Sequence, residues 1–303
     1  MLSHKTGFHA LTLALALTLF ASTPALADPA ITLTHVHGLS YSADGGRLLI
    51  PSHHGLAVFS EGRWSRAAGP AHDYMGFSAM RDALYSSSHP APRSGLTNPF
   101  GLIKSTDGGR TWQKLGLEGE SDFHSLATSH GTNTVYVFNP HPNSRMKQSG
   151  IYYTRNDGLQ WKRAAARGLS GELNSLAVHP SATNIVAAGT EQGLYLSRDA
   201  GENFERLVGD VRVFAEAFDL DGEQLWFSTY GGKAGLARVA FKAGAAAEAV
   251  PIPPLGEDAV AYIAQNPVQR DEFSIATFKR SVFVSEDRGR TWTQIARDGA
   301  TLP

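Results

Sequence analysis

The sequence predicts an all-β propeller, a ring of six four-stranded antiparallel blades, and three observations predict it. One turn motif occurs four times: Ser105-Thr-Asp107-Gly-Gly109-Arg-Thr-Trp112, Thr154-Arg-Asn156-Asp157-Gly158-Leu-Gln-Trp161, Ser197-Arg-Asp199-Ala-Gly201-Glu-Asn-Phe204 and Ser285-Glu-Asp287-Arg-Gly289-Arg-Thr-Trp292. Their starts are 49, 43 and 88 residues apart, a period of about 44 with one copy skipped. Between the copies the same order recurs: an apolar strand, a Gly/Asn/Asp turn, a β-branched strand, a Gly-Leu or Gly-Ile strand, then the motif. With 31 glycines and 10% aromatics, the composition suits many short strands joined by tight turns.

Each element can be justified in chain order. The first 27 residues read as a secretory signal: an apolar run Ala10–Phe20, too short to span a bilayer, precedes the small-x-small site Ala25-Leu26-Ala27. The expected organisation is therefore a signal peptide over 1–27 and one propeller domain over 28–303, periplasmic or secreted and soluble once cleaved. Blade 1 reads His37-Gly-Leu-Ser-Tyr41, Arg47-Leu-Leu-Ile50 and Gly55-Leu-Ala-Val-Phe59, with a shortened turn before Trp64. Blade 2 carries an insertion, Pro90–Pro99. Blades 3 and 4 show the full order, from His124-Ser-Leu-Ala-Thr128 and from Asn174-Ser-Leu-Ala-Val178. Blade 5, over 214–243, lacks the motif and accounts for the double spacing, while Ala243–Pro254 reads as an interblade linker. Blade 6 runs from about Val260 to Ile295. About 265 residues at ~44 per blade give six blades, inside the range of known propellers; seven would need a further segment.

Physical chemistry explains the motif as a turn. Its Ser/Thr hydroxyl and Asp/Asn side chain suit the backbone N–H groups of a tight loop, and the glycine supplies a left-handed φ. The following aromatic starts the next strand and packs between sheets. This resembles the Asp-box (BNR) repeat of sialidases, sortilin-type receptors and photosystem assembly propellers. The resemblance implies that the box is a structural turn on the edge away from the functional face. Over residues 35–296 the chain is most similar to exported bacterial glycosylhydrolase-like Asp-box proteins, with His35-Val-His-Gly-Leu, His72-Asp-Tyr-Met-Gly-Phe and Ser121-Asp-Phe-His124 as extra signatures. It departs from true sialidases: the Phe/Tyr-Arg-Ile-Pro tetrapeptide is missing, and inner-strand positions carry His, Met, Asn and Glu where that family has arginine.

Composition excludes several classes. Net charge is −1, so no basic field draws nucleic acid or anionic lipid. With no cysteine there can be no disulfide, thiolate metal site or Cys nucleophile. No run after the signal could span a membrane as a helix, and the chain is expected to be a monomer.

Candidate chemistry concentrates in the first half. Of the ten histidines after residue 27, nine lie in blades 1–3. His37, Met75, His124 and Asn174 occupy one repeat position at the starts of inner strands. His35 and His37, two apart on a strand, face one side. His35, His37, Met75 and His124 are candidate ligands for copper before zinc, because imidazole suits both ions and a thioether suits Cu(I). His53 or His54, His89 and His141 follow the second strands of their blades and are possible outer partners. His72, Asp73, Tyr74, His89 and His141 are candidate ligand-binding residues, near a pocket wall expected from the Pro-stiffened loops 89–99 and 139–147. The competing reading has these histidines bonding turns and filling the channel. Asp73, Glu120 and Asp122, with Glu216 and Asp258 behind them, are the catalytic candidates if the chain is a glycosidase, which needs two carboxylates about 5–9.5 Å apart. The favoured expectation is a non-catalytic exported propeller binding a ligand, metal or protein partner at the His-rich face; the alternative is a glycoside hydrolase-like enzyme acting on an extracytoplasmic glycan.

Overall fold

The computed structural model describes Met1, residues 31–242 and residues 244–303, so the expected signal segment and its cleavage site lie outside the described residues apart from Met1. Residues 31–303 form a six-bladed β-propeller with no helix among the described residues. Blade 1 holds β1 (Ser40–Tyr41), β2 (Leu48–Ser52), β3 (Gly55–Ser60) and β4 (Arg63–Arg66). Blade 2 holds β5 (Asp73–Ala79), β6 (Leu84–His89), β7 (Leu102–Ser105) and β8 (Gln113–Gly116). Blade 3 holds β9 (Leu126–Thr128), β10 (Val135–Asn139), β11 (Gly150–Thr154) and β12 (Lys162–Arg163). Blade 4 holds β13 (Leu173–Val178), β14 (Val186–Thr190), β15 (Gly193–Ser197) and β16 (Glu205–Gly209). Blade 5 holds β17 (Arg212–Phe218), β18 (Gln224–Tyr230), β19 (Ala234–Ala240) and β20 (Glu248–Val250). Blade 6 holds β21 (Val260–Gln265), β22 (Phe273–Thr277), β23 (Val282–Ser285), β24 (Thr293–Arg297) and β25 (Ala300–Thr301). Every sheet is antiparallel, with strands in chain order from the channel outward.

Two details differ from the sequence reading. Glu248–Val250, expected within a linker, forms the outer strand of blade 5, pairing Leu236 with Val250. Glu248 and Ala249 carry no strand signal; Val250 is held in the cleft between blades 5 and 6, in one cluster with Trp226 and Phe283. Blade 6 gains a fifth strand, and Thr32 bridges Ala300 beyond it. The Leu33 N–H donates to Gly299 O at 2.8 Å, and Ile31 and Leu33 are buried with blades 1 and 6. The start and end of the described chain thus meet at the blade that closes the ring.

The core is six apolar clusters, one in each cleft between neighbouring blades. The box turns lie between third and fourth strands and help make those clefts. Ser105 Oγ accepts the Gly109 N–H at 2.9 Å, and Asp107 Oδ1 accepts that of Thr111 at 2.9 Å. Gly109 has φ +87°, and a Cβ there would lie 2.7 Å from Leu56 Cδ1 of blade 1. A side chain is therefore excluded by backbone conformation and by the preceding blade together.

Candidate metal centre on the rim of blades 1 to 3

In a blade of consecutive hairpins, the start of the first strand and the loop from second to third strand share one end. The box, between third and fourth strands, lies at the other. The histidines of blades 1–3 occupy the end opposite the boxes, except His130, which lies in the loop from first to second strand of blade 3. Register makes this concrete: Asp73, first residue of β5, faces His89, last residue of β6.

Several inner strands break their period at this end. Bulges separate Met75 from Ser78, Leu173 from Ser175, Val213 from Glu216 and Val260 from Tyr262. A bulge re-aims side chains and frees backbone groups. Serines one strand out compensate: Ser86 Oγ donates to Met75 O at 2.6 Å, and Ser228 Oγ accepts the Ala215 N–H at 3.0 Å.

Blade 1 supplies three histidines whose ligand atoms lie within 4.8 Å of one another: His35, His37 and His53. Their rings stack, with His35–His53 centroids 4.1 Å apart and His37–His53 centroids 5.0 Å apart. Asp73 reaches across from blade 2, with Oδ1 3.4 Å from His37 Nε2 and Oδ2 3.6 Å from His53 Nε2. His37 Nε2 and Asp73 Oδ1 are buried without a hydrogen-bond partner. Burial, opposed by Asp73 but helped by His53, His35 and His124, pushes His37 down to about 4. His37 is thus a neutral imidazole at ordinary pH, with its lone pair available.

A second group joins blades 2 and 3. Asp122 Oδ2 lies 2.9 Å from His89 Nε2 and 2.6 Å from His124 Nε2. His89 Nδ1 is 2.7 Å from Asn98 Oδ1. Burial works against the Asp122 charge, but hydrogen bonds and charges from His124 and His89 outweigh it and hold the carboxyl below its ordinary value. The hydrogen bond to Asp122 raises His124 in return. Asp122 Oδ1 is buried and unpartnered. Inward from both groups, a channel cavity of about 420 Å³ is lined by His37, His124, Asn174, Glu216, Tyr262 and Phe278 among others.

The remaining candidates are placed elsewhere. Tyr74 is wholly buried, donates to Pro70 O at 2.9 Å and stacks on Trp112; as a core residue it is not available to a ligand. His72 is buried against Phe100, and its Nδ1 accepts the Ala91 N–H at 3.0 Å, so it anchors the Pro-rich loop. Met75 is half-buried, on the same face of β5 as Asp73. Glu120 is exposed and accepts hydrogen bonds from Ser144 N and Oγ, bracing the 139–147 loop. His141 is exposed, and its carbonyl accepts from Asn139. Asn98, which orients His89, was not singled out by sequence reasoning; its position in the Pro-rich loop beside His89 was the available signal.

This geometry can be set beside known proteins. The BNR/Asp-box repeat model matches residues 103–114. The chain is a six-bladed β-propeller that carries an Asp-box repeat. Among solved structures, this propeller is similar to the GH74 enzyme of Niastella koreensis (TM-score 0.58, 14% identity, 88% of this chain and 46% of that one). It is also similar to the extracellular domain of a one-component system of B. thetaiotaomicron (TM-score 0.55, 14% identity, 90% and 36%). A third similarity is to YCF48 from Cyanidioschyzon merolae (TM-score 0.51, 18% identity, 90% and 88%). At these identities the likeness shows the propeller fold alone, and the chain spans less than half the length of the GH74 protein. No curated protein sequence is similar enough to count as a relative. No helix among the described residues is long and apolar enough to cross a membrane.

Proposed function

We propose that this propeller is an exported metal-binding protein whose rim holds one late first-row transition-metal ion, copper ahead of zinc, between His35, His37 and His53 of blade 1 and Asp73 of blade 2. One observation carries the reading: the His37–Asp73 and His53–Asp73 separations of 3.4 and 3.6 Å. They are too long for good hydrogen bonds. Two ligands each about 2.0–2.1 Å from a tetrahedral ion stand roughly 3.3–3.4 Å apart, so these gaps have the size of a tetrahedral edge. The buried, unpartnered His37 Nε2 and Asp73 Oδ1 face each other across one of them. A cysteine-free chain offers imidazole and carboxylate in place of thiolate, a donor set suited to either ion. Copper comes first because an exported protein meets it outside the cytosol. A glycosidase would need a carboxyl kept protonated as general acid. Asp122 is held the other way, and Glu216, although pushed up, is turned to Ser175 and Gly189.

The test is metal analysis of purified protein after loading with Cu(II) or Zn(II) and exhaustive dialysis. One ion should be retained at this site and lost in the His37→Ala, His53→Ala variant. Retention unchanged in that variant would sink the assignment.

A further inference from the structure

The unit that joins blade 1 to blade 2 recurs one blade on. In each case a carboxylate at or just before the start of an inner strand meets a histidine at or just after the end of the second strand of the preceding blade: Asp73 meets His53, and Asp122 meets His89. Asp73 and Asp122 both lie two residues before the shared repeat position of Met75 and His124. Asp73 and His89 are cross-strand partners, so the two clefts adjoin. We propose that His89, Asp122 and His124 form a second metal-binding site for the same class of ion, so that the rim takes two ions in neighbouring clefts. The proposal rests on the reading that this rim binds metal.

The hydrogen-bond arithmetic at Asp122 supports it. Asn98 Oδ1, as an acceptor, commits the Nδ1–H of His89. A neutral His89 then carries a bare lone pair on Nε2, which points at a carboxylate oxygen 2.9 Å away. His124 Nε2 points at that same oxygen. Two acceptors cannot face each other at this distance without a positive charge between them. A metal ion supplies it by taking the Nε2 lone pairs of both rings and a carboxylate oxygen, and the displaced Nε2 protons pass to water. Asn98 then plays the orienting part that a carbonyl or carboxylate commonly plays behind a metal-bound imidazole. The buried, unpartnered Asp122 Oδ1 offers a further lone pair. His124, its side chain 65% exposed, is free to swing outward by the roughly 0.7 Å that opens its contact with Asp122 to ligand spacing.

The experiment is equilibrium dialysis of the whole purified chain against Cu(II) and, separately, Zn(II), with ions bound per protein as the readout and a thermal melt of each variant as the folding control. Two ions are expected for the unmodified chain, one for His89→Ala, His124→Ala, and one for His37→Ala, His53→Ala. One ion in the unmodified chain, unaffected by His89→Ala, His124→Ala but lost in His37→Ala, His53→Ala, overturns the second site and leaves the first. The reverse pattern overturns the first site and leaves the second; no retained ion overturns both. Should a double variant unfold, His124→Gln decides, because that side chain is largely in solvent. It should weaken the second ion at least tenfold, and an unchanged second-ion affinity overturns the proposal.

Discussion

Glu216 gives the sharpest quantitative test of the channel's interior. It lies on β17, 8% exposed, with Oε2 in a close contact with Ser175 Oγ and Oε1 accepting the Gly189 N–H at 3.2 Å. Gly189 makes this possible, since a Cβ there would stand 2.4 Å from Glu216 Oε2. Burial dominates the two hydrogen bonds and raises the carboxyl from 4.5 to about 7. The sign follows directly. The unfolded chain loses the Glu216 proton near pH 4.5, while the folded chain keeps it to about 7. The unfolded state therefore becomes relatively more favourable as pH rises through that window, and folding stability falls. A shift from 4.5 to about 7 corresponds to about 3 kcal/mol in total, of which about 2 kcal/mol falls between pH 5 and 7.

Glu216→Gln reproduces the protonated form: its amide oxygen accepts from Gly189 and its amide nitrogen donates to Ser175. Paired denaturant titrations of the two proteins at pH 5 and at pH 7.5 cancel every other titrating group. The variant should exceed the parent by about 1 kcal/mol at pH 5 and by about 3 kcal/mol at pH 7.5, and the pH-dependent gain of about 2 kcal/mol is worth about 4–8 °C in Tm for a domain of this size. A difference that does not change with pH would mean that Glu216 titrates as a solvated carboxyl, and the burial argument would fall.

Two further outcomes follow from particular contacts. Gly109→Ala should cost more than Gly62→Ala in thermal melts, because both positions have left-handed φ but only Gly109 has a neighbouring blade within 3 Å of the added Cβ. The shared backbone cost is about 1–2 kcal/mol, and equal losses would show that the box glycine does not pack across the cleft. Asn98→Ala, which releases His89 Nδ1, should lower affinity at the His89–Asp122–His124 site about 10- to 100-fold while leaving the His35–His37–His53 site unchanged; competition with a metallochromic chelator reads both.

How much was legible in the sequence depends on range. The box turns follow local rules, since Ser105, Asp107 and Gly109 satisfy one another within five residues, so spacing alone predicted the blade count. Blade equivalence of His37, Met75 and His124 was legible for the same reason. What was not legible is which side chains meet across clefts. Asp73 reaches His37 and His53 of the preceding blade, while its sequence neighbours His72 and Tyr74 turn into the core. Period-2 reasoning fails here because bulges on the inner strands shift the alternation. The strand Glu248–Val250 was missed because its residues have little strand character, and its place is set by contacts with Trp226 and Phe283.

The same ring geometry explains why polar chemistry collects on one rim. Each cleft is sealed below by an apolar cluster, and in blades 2, 3, 4 and 6 a box turn packs at the far end, as Gly109 packs on Leu56. The opposite end, where inner strands begin and bulge, leaves room for facing imidazole and carboxylate groups. In blade 4 the corresponding acidic position is Glu172, two residues before Asn174, but the preceding blade offers only the exposed His141. The series of carboxylate–histidine contacts therefore runs from the first cleft to the second and stops where blade 3 turns its histidine outward. Two adjoining clefts with imidazole and carboxylate facing each other, beside a channel lined from blade 4 onward by Asn174, Glu216 and Phe278, make the rim asymmetric by construction. A site assembled from neighbouring blades forms only when those blades are stacked in the closed ring. Metal held there would bind the folded state alone and raise its stability by mass action. Bound Cu(II) or Zn(II) should therefore raise Tm in the unmodified chain and give a smaller rise when either pair of cleft histidines is removed.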